Sequence, residues 1–245
     1  MSGFEEFGFG VGDDNLGSKN RRFKAKQDEK YRISFVYWPG MEEGKPDLDA
    51  KTPKFLGVKR LYLQGVGYFI DHGPEWVKLA GQQSKMQVAT LIALWPTDSK
   101  GMLDKSGFAE NKFQVMPWIF STDKYRNIEQ NHGEFPLGQH DLTLHCTDAQ
   151  YQKITISPCR ENLFRKLYEK DPARANLIIE ATKAAIPQLA GELAQDLTLD
   201  QIREKMSSGN GGGRPGGGPG GGGGGAGGAA KSDKEFDSML DDILT

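Results

Sequence analysis

From Tyr31 to residue 157, short runs in which apolar and polar positions alternate with a period of two predict strands. YRISFVYW (31–38) is rich in aromatic and β-branched residues and stops at Pro39-Gly40. GVKRLYLQGVGYFIDHG (57–73) reads as one long strand, with Gly65 and Gly67 marking a bulge or sharp bend. KMQVATLIALW (85–95) ends at Pro96, and KFQVMPWIFS (112–121) carries Pro117, which places it at an edge or a bulge. HDLTLHC (140–146) and QYQKITIS (150–157) are a hairpin's distance apart. Five or six strands separated by turn signals predict a small barrel or sandwich.

After Pro158 the period changes to that of a helix. Leu163, Phe164, Leu167 and Tyr168 share one face of ENLFRKLYEK. The run ARANLIIEATKAAIPQLAGELAQDL continues helical but for Pro187, and LTLDQIREKM follows with Thr198 as its N-cap. Of the 22 positions from Gly209 to Ala230, 15 are Gly, a composition with nothing to bury that predicts a flexible coil. The expected organisation is therefore an N-terminal arm at 1–26, a β-domain at 27–160, a helical extension at 161–206, a glycine-rich linker at 207–230 and an acidic tail at 231–245.

Charge divides along the same boundaries. The whole chain of 245 residues has a net charge of −2, but residues 1–18 carry −4, residues 19–166 carry +6 and residues 231–245 carry −3. A basic body between acidic ends points to a polyanionic partner. Strand parity then sorts side chains onto two faces. One face of each strand is apolar, as in Leu61, Leu63 and Phe69, while the other mixes rings with cations. Arg60, Tyr62 and Tyr68 share such a face, as do Lys112, Trp118 and Phe120, and Arg32 with Trp38. Lys153 lies on the polar face of the last strand. Flat rings among cations suit a single nucleic-acid strand, because bases stack on rings while cations follow the phosphates. Arg21, Arg22 and Lys24 before the first strand, and Lys124 and Arg126 flanking Tyr125 after the fourth, extend that basic surface along the rims.

Other chemistries find less support. His132, His140, His145, Cys146 and Cys159 lack the paired spacing of a structural zinc site, and consecutive His145 and Cys146 point to opposite faces of a strand. Two cysteines are too few for a disulfide framework, so reduced thiols are expected. No nucleophile elbow or H-E-x-x-H motif is found, and Asp71-His72 reads as a loop following a strand. No apolar run is long enough for a membrane span, and no charged-then-apolar leader starts the chain, which makes the cytoplasm the expected location. No cofactor is expected.

In the tail KSDKEFDSMLDDILT, Phe236, Leu240 and Ile243 fall at i, i+4 and i+7, the spacing of a helix that folds against a partner. The 22-residue coil before it spans about 25 Å root-mean-square, enough for the acids to reach the basic body or a protein beside it. A basic aromatic β-domain, a glycine tract and the ending DSMLDDILT together resemble the single-stranded DNA-binding proteins of bacteria and phages, with the long β-region and added helices closer to the phage type. The resemblance implies an OB-fold-like barrel, and a recruiting tip at Asp241, Asp242, Ile243 and Leu244 for replication, recombination and repair proteins. The bacterial tail ends in Pro-Phe where this chain has Leu244-Thr245.

The sequence thus predicts a mainly β protein with a helical C-terminal extension, non-catalytic, that binds single-stranded DNA without sequence preference. Self-association on DNA through the Phe-rich arm 1–18 accompanies this reading. An RNA-binding protein or RNA chaperone is one alternative, and a scaffold acting through its tail is another.

Overall fold

A computed structural model describes residues 22–98, 100–148 and 153–208. The N-terminal arm up to Arg21, the glycine linker and the tail residues Phe236, Leu240, Asp241, Asp242, Ile243 and Leu244 lie outside the described residues. Among the described residues seven strands and six helices follow in the order β1 (Lys30–Phe35), β2 (Leu56–Leu63), β3 (Gly67–Ile70), α1 (Pro74–Ala80), β4 (Lys85–Trp95), α2 (Lys105–Ala109), β5 (Gln114–Ser121), α3 (Thr122–Glu134), β6 (Leu142–Cys146), β7 (Ile154–Pro158), α4 (Leu163–Lys170), α5 (Pro172–Leu193) and α6 (Leu199–Ser208).

All strand pairings are antiparallel, and β4 is their hub. Gln87 faces Val58 on β2 and Ser121 on β5, while Ile92 faces Phe35 on β1 and Met116 on β5. One edge of β4 is thus shared by β2 and then β1, and the other belongs to β5. The sheet runs β3-β2-β4-β1-β6-β7 with β5 off this path, and it is open, not the closed barrel that the strand count suggested. The cause is non-local: the long β4 serves three partners, so β3 and β7 end at opposite ends of the path. Residues 88–93 of β4 are buried without a break because both of its faces are covered, α5 packing over β4 and β5.

Three sequence expectations change. The long strand of 57–73 is a hairpin: the Val66 amide donates to the Leu63 carbonyl at 3.1 Å, and Gly65 and Gly67 take φ of 85° and 92° to turn the chain. The segment after β5 is helix α3, which puts Lys124, Tyr125 and Arg126 on a helix and not on a loop. Pro187 lies inside α5 without ending it. Thr198 does cap α6, as a capping box: its hydroxyl accepts from the Gln201 amide at 3.3 Å and its amide donates to Gln201 Oε1 at 2.9 Å.

Two apolar cores form. The larger joins Ile33, Phe35, Ile92, Trp118 and Leu144 to Ile178 and Leu189 of α5. A smaller one gathers Leu61, Val66 and Phe69 of the hairpin with Leu197 and Ile202, and Trp76 packs against it.

A buried carboxylate ties the larger core together. Asp141, fully enclosed, meets Arg32 Nε at 2.8 Å and accepts from the Ser34 hydroxyl. It also accepts from the Leu163 amide that opens α4, at 3.2 Å, and the Trp95 indole donates to Ser34 Oγ at 2.8 Å. Loss of hydration outweighs the Arg32 charge and these donors, and pushes the carboxyl up from 3.8 to about 6. The folded protein therefore holds this proton more tightly than the unfolded chain. The group's contribution to stability is complete below pH 4 and is lost as pH rises through 6. In urea unfolding, the stability of wild type relative to Asp141→Asn should fall by about 2 kcal/mol between pH 4 and 7. A relative stability that rises over this range would mean that the Arg32 charge prevails over burial.

Candidate nucleic-acid interface

The β2–β3 hairpin and the first residues of β4 build the candidate face. Directly opposed residues of antiparallel strands point the same way. Tyr62 is opposite Tyr68, and Arg60 is opposite Ile70 on one side and Lys85 on the other, so these five side chains share one surface. Leu61 and Phe69, of opposite parity, point into the smaller core and anchor it. The alternation of GVKRLYL is therefore what puts the rings in water.

Tyr62 and Tyr68 are 46% and 40% exposed, with ring centroids 5.0 Å apart and planes inclined at 54°. The Arg60 guanidinium lies over the Tyr68 ring, 3.9 Å from its centroid. It donates to the Leu193 carbonyl at 2.8 Å and to Gln87 Oε1 at 3.4 Å, both neutral acceptors, so its charge is retained. Burial pulls its pKa below the ordinary value, and a guanidinium stays protonated all the same. Lys85 stands exposed beside it. Arg22 lies near enough to act on Arg60 electrostatically, and its Nε is paired with Glu192 at 2.8 Å. This is a ring pair with positive charge along its flank.

The other expected site residues are dispersed. Trp118, 3% exposed, sits among Phe23, Phe35 and Phe120, and Phe120 is equally enclosed. Trp38 is fully buried, its indole donating to the Phe35 carbonyl at 2.7 Å. These three rings are core in the folded protein: Phe23 packs edge-on against Trp118 and Phe55 against Phe120 on the face that parity had grouped with cations. Arg32, its side chain 13% exposed, is committed to Asp141, and its Nη2 also lies 3.8 Å from Glu161. Lys112 pairs with Glu110 at 2.5 Å. Tyr125 packs edge-on against Phe55, and Arg126 lies 4.0 Å from Asp123. Lys24 is exposed beside Phe23. Lys153 is exposed just before β7, at the opposite end of the sheet from the hairpin.

Lys85 and Gln87 were missed as members of the face. Their signal was present: polar residues alternate at the start of β4 before its apolar run begins. The described residues hold no group of His, Cys, Asp and Glu able to ligate a metal. No helix among them is long and apolar enough to cross a membrane.

The two kinds of ring give opposite expectations. Tyr62→Ala and Tyr68→Ala should each weaken binding of an oligo-dT strand by about 1–3 kcal/mol, with little change in thermal stability. Trp118→Ala should cost about 3–5 kcal/mol of folding stability through its cavity. Equal affinity of both tyrosine variants and wild type in fluorescence anisotropy would remove the face from consideration.

Compared with family models, curated proteins and solved structures, the chain matches none.

Proposed function

We propose that the protein binds single-stranded DNA without sequence preference, protecting unwound strands and bringing replication, recombination and repair proteins to them. The observation that carries this reading is the exposed Tyr62–Tyr68 pair flanked by Arg60 and Lys85 on one sheet surface. Rings that are accessible to bases but closed off from the core suit unpaired strands, since the bases of a duplex stack on each other and present no free faces. A sheet surface of this kind has few fixed donors and acceptors with which to read base edges, so stacking tolerates any base. Chemistry is not part of the proposal: the face offers stacking and charge, with no nucleophile and base in hydrogen-bond reach.

In this reading the acidic tail recruits partner proteins through Phe236, Leu240, Asp241, Asp242, Ile243 and Leu244, and the Phe-rich arm mediates self-association on the strand. Ring and cation also serve RNA, which makes an RNA-binding protein the second reading.

Affinity for labelled oligo-dT should fall steeply with salt, because each phosphate neutralised releases counterions. Lys85→Gln should flatten the slope of log affinity against log salt by about 0.7, one phosphate's share on a single strand. An affinity independent of salt in wild type would refute the interface. Oligo-U competing better than oligo-dT for the same protein would transfer the reading to RNA.

A further inference from the structure

We propose that Leu193–Leu197 is a positioning strap that holds the ring face in shape through Arg60 and β3, so that affinity depends on how α6 is seated. The role in affinity rests on the single-strand reading above; the strap's hold on the hairpin does not.

The strap meets the hairpin along its free edge. Gln195 forms a parallel bridge with Phe69: the Ile70 amide donates to the Gln195 carbonyl at 2.9 Å, and the Gln195 amide donates to the Tyr68 carbonyl at 3.0 Å. The backbone on both sides of Phe69 is thus fixed by the strap on one edge and by β2 on the other. The Gln195 side chain reaches further. Its Nε2 donates to the Val66 carbonyl in the turn at 3.2 Å, and its Oε1 accepts from Lys205 of α6 at 2.7 Å. Beyond it, Asp196 meets His72 at 2.8 Å and the Leu197 carbonyl accepts from the Trp76 indole at 3.1 Å.

Arg60 links the strap to the rings. Leu193 ends a helix of 22 residues, and its carbonyl is one of the acceptors such an end leaves without an intrahelical partner. A cation there is favoured by the helix dipole. Arg60 donates to that carbonyl while its plane covers one side of Tyr68. The guanidinium is thereby used within the protein, and it acts on a nucleic acid through Tyr68. Arg60 is a positioning residue, and Lys85 is the cation left to meet a phosphate.

The strap is seated at both ends: Leu193 packs in the larger core, and Leu197 with Ile202 packs on Leu61, Val66 and Phe69 in the smaller one. The glycine tract follows α6 directly in the sequence. Drawing α6 off the smaller core loosens Gln195–Leu197 from β3 and lets the two tyrosines part, while Leu193 stays packed in the larger core.

The test compares Ile202→Ala and Arg60→Gln with wild type, in the full chain. Amide exchange is measured on the free proteins, and oligo-dT binding at several salt concentrations. Ile202→Ala should speed exchange at 61–70 and 195–202 and leave β1, β4, β6 and α5 protected. Both variants should bind about tenfold more weakly, within the range of one lost base–ring stack, with the salt slope unchanged. A slope flattened by about 0.7 in Arg60→Gln would make Arg60 a phosphate contact and overturn its positioning role. Exchange that spreads to β1 and β6, or does not change at the hairpin, would overturn the strap. So would a loosened hairpin that binds as tightly as wild type. If wild type itself binds no oligo-dT, the interface reading fails, and the exchange of Ile202→Ala alone decides whether Leu193–Leu197 holds the hairpin.

Discussion

The carboxylate of Asp141 is where the main part of the fold is joined. It lies at the start of β6, pairs with Arg32 of β1, and accepts from the first amide of α4. Through Ser34 it is also linked to the Trp95 indole at the end of β4. Three strands and a helix thus converge on one ion. Burying such a charge is costly, and the partners that surround it offset only part of that cost, which is why its carboxyl is pushed up to about 6. An apolar contact would hold these elements together as well, but it would not set where each begins. The ion pair does, since the Leu163 amide must arrive at the same point as the Arg32 guanidinium. Helix α4 starts there, with Asn162 capping it by accepting from the Arg165 amide at 2.8 Å. α5 follows from that start, and α5 covers the sheet.

The candidate interface stands at some remove from this joint. It is carried by a hairpin whose apolar side chains belong to a core of their own, made partly by residues more than a hundred positions later in the chain. Its contact with the main body runs through the first half of β4 and the end of α5. Under the proposed function, a surface that accepts a flexible strand gains from this separation. Its rings can adjust without disturbing the packing of Ile33, Phe35 and Trp118, and regions that rearrange are drawn from the less stable parts of a fold.

Much of this was legible in the sequence, and the failures have definite causes. β1 and β4 were evident from their aromatic and β-branched runs, and α4 from the spacing of Leu163, Phe164 and Leu167. α3 was missed because TDKYRNIEQNHGE is polar all round and buries little besides Ile128, so no apolar stripe marks it. The open sheet was read as a barrel because strand pairing is non-local: nothing in β4 announces that it will serve three neighbours. Parity separated the two faces of the β2–β3 hairpin, Leu61 with Phe69 and Tyr62 with Tyr68, whereas Trp38, Lys112 and Lys153 lie just outside the strands it assigned them to. It could not tell which face meets water, because that depends on residues elsewhere. Tyr62 and Trp118 sit in similar local patterns, yet Phe23 and Phe35 close over Trp118 while Tyr62 stays 46% exposed. Asp141 gave no signal at all, being a single acid before a strand.

The separation of the two cores also has an optical side. Of the four tryptophans, Trp38, Trp95 and Trp118 are enclosed in the main core. Trp76 alone belongs to the smaller one, where its indole rests against His72 and bonds to the strap. The protein's intrinsic emission is therefore divided by position: three indoles in dry surroundings, and one half-buried at the hairpin. With the three enclosed indoles replaced by phenylalanine, the remaining light would come from the neighbourhood of the rings, and its colour would follow that neighbourhood as it opens or closes to water.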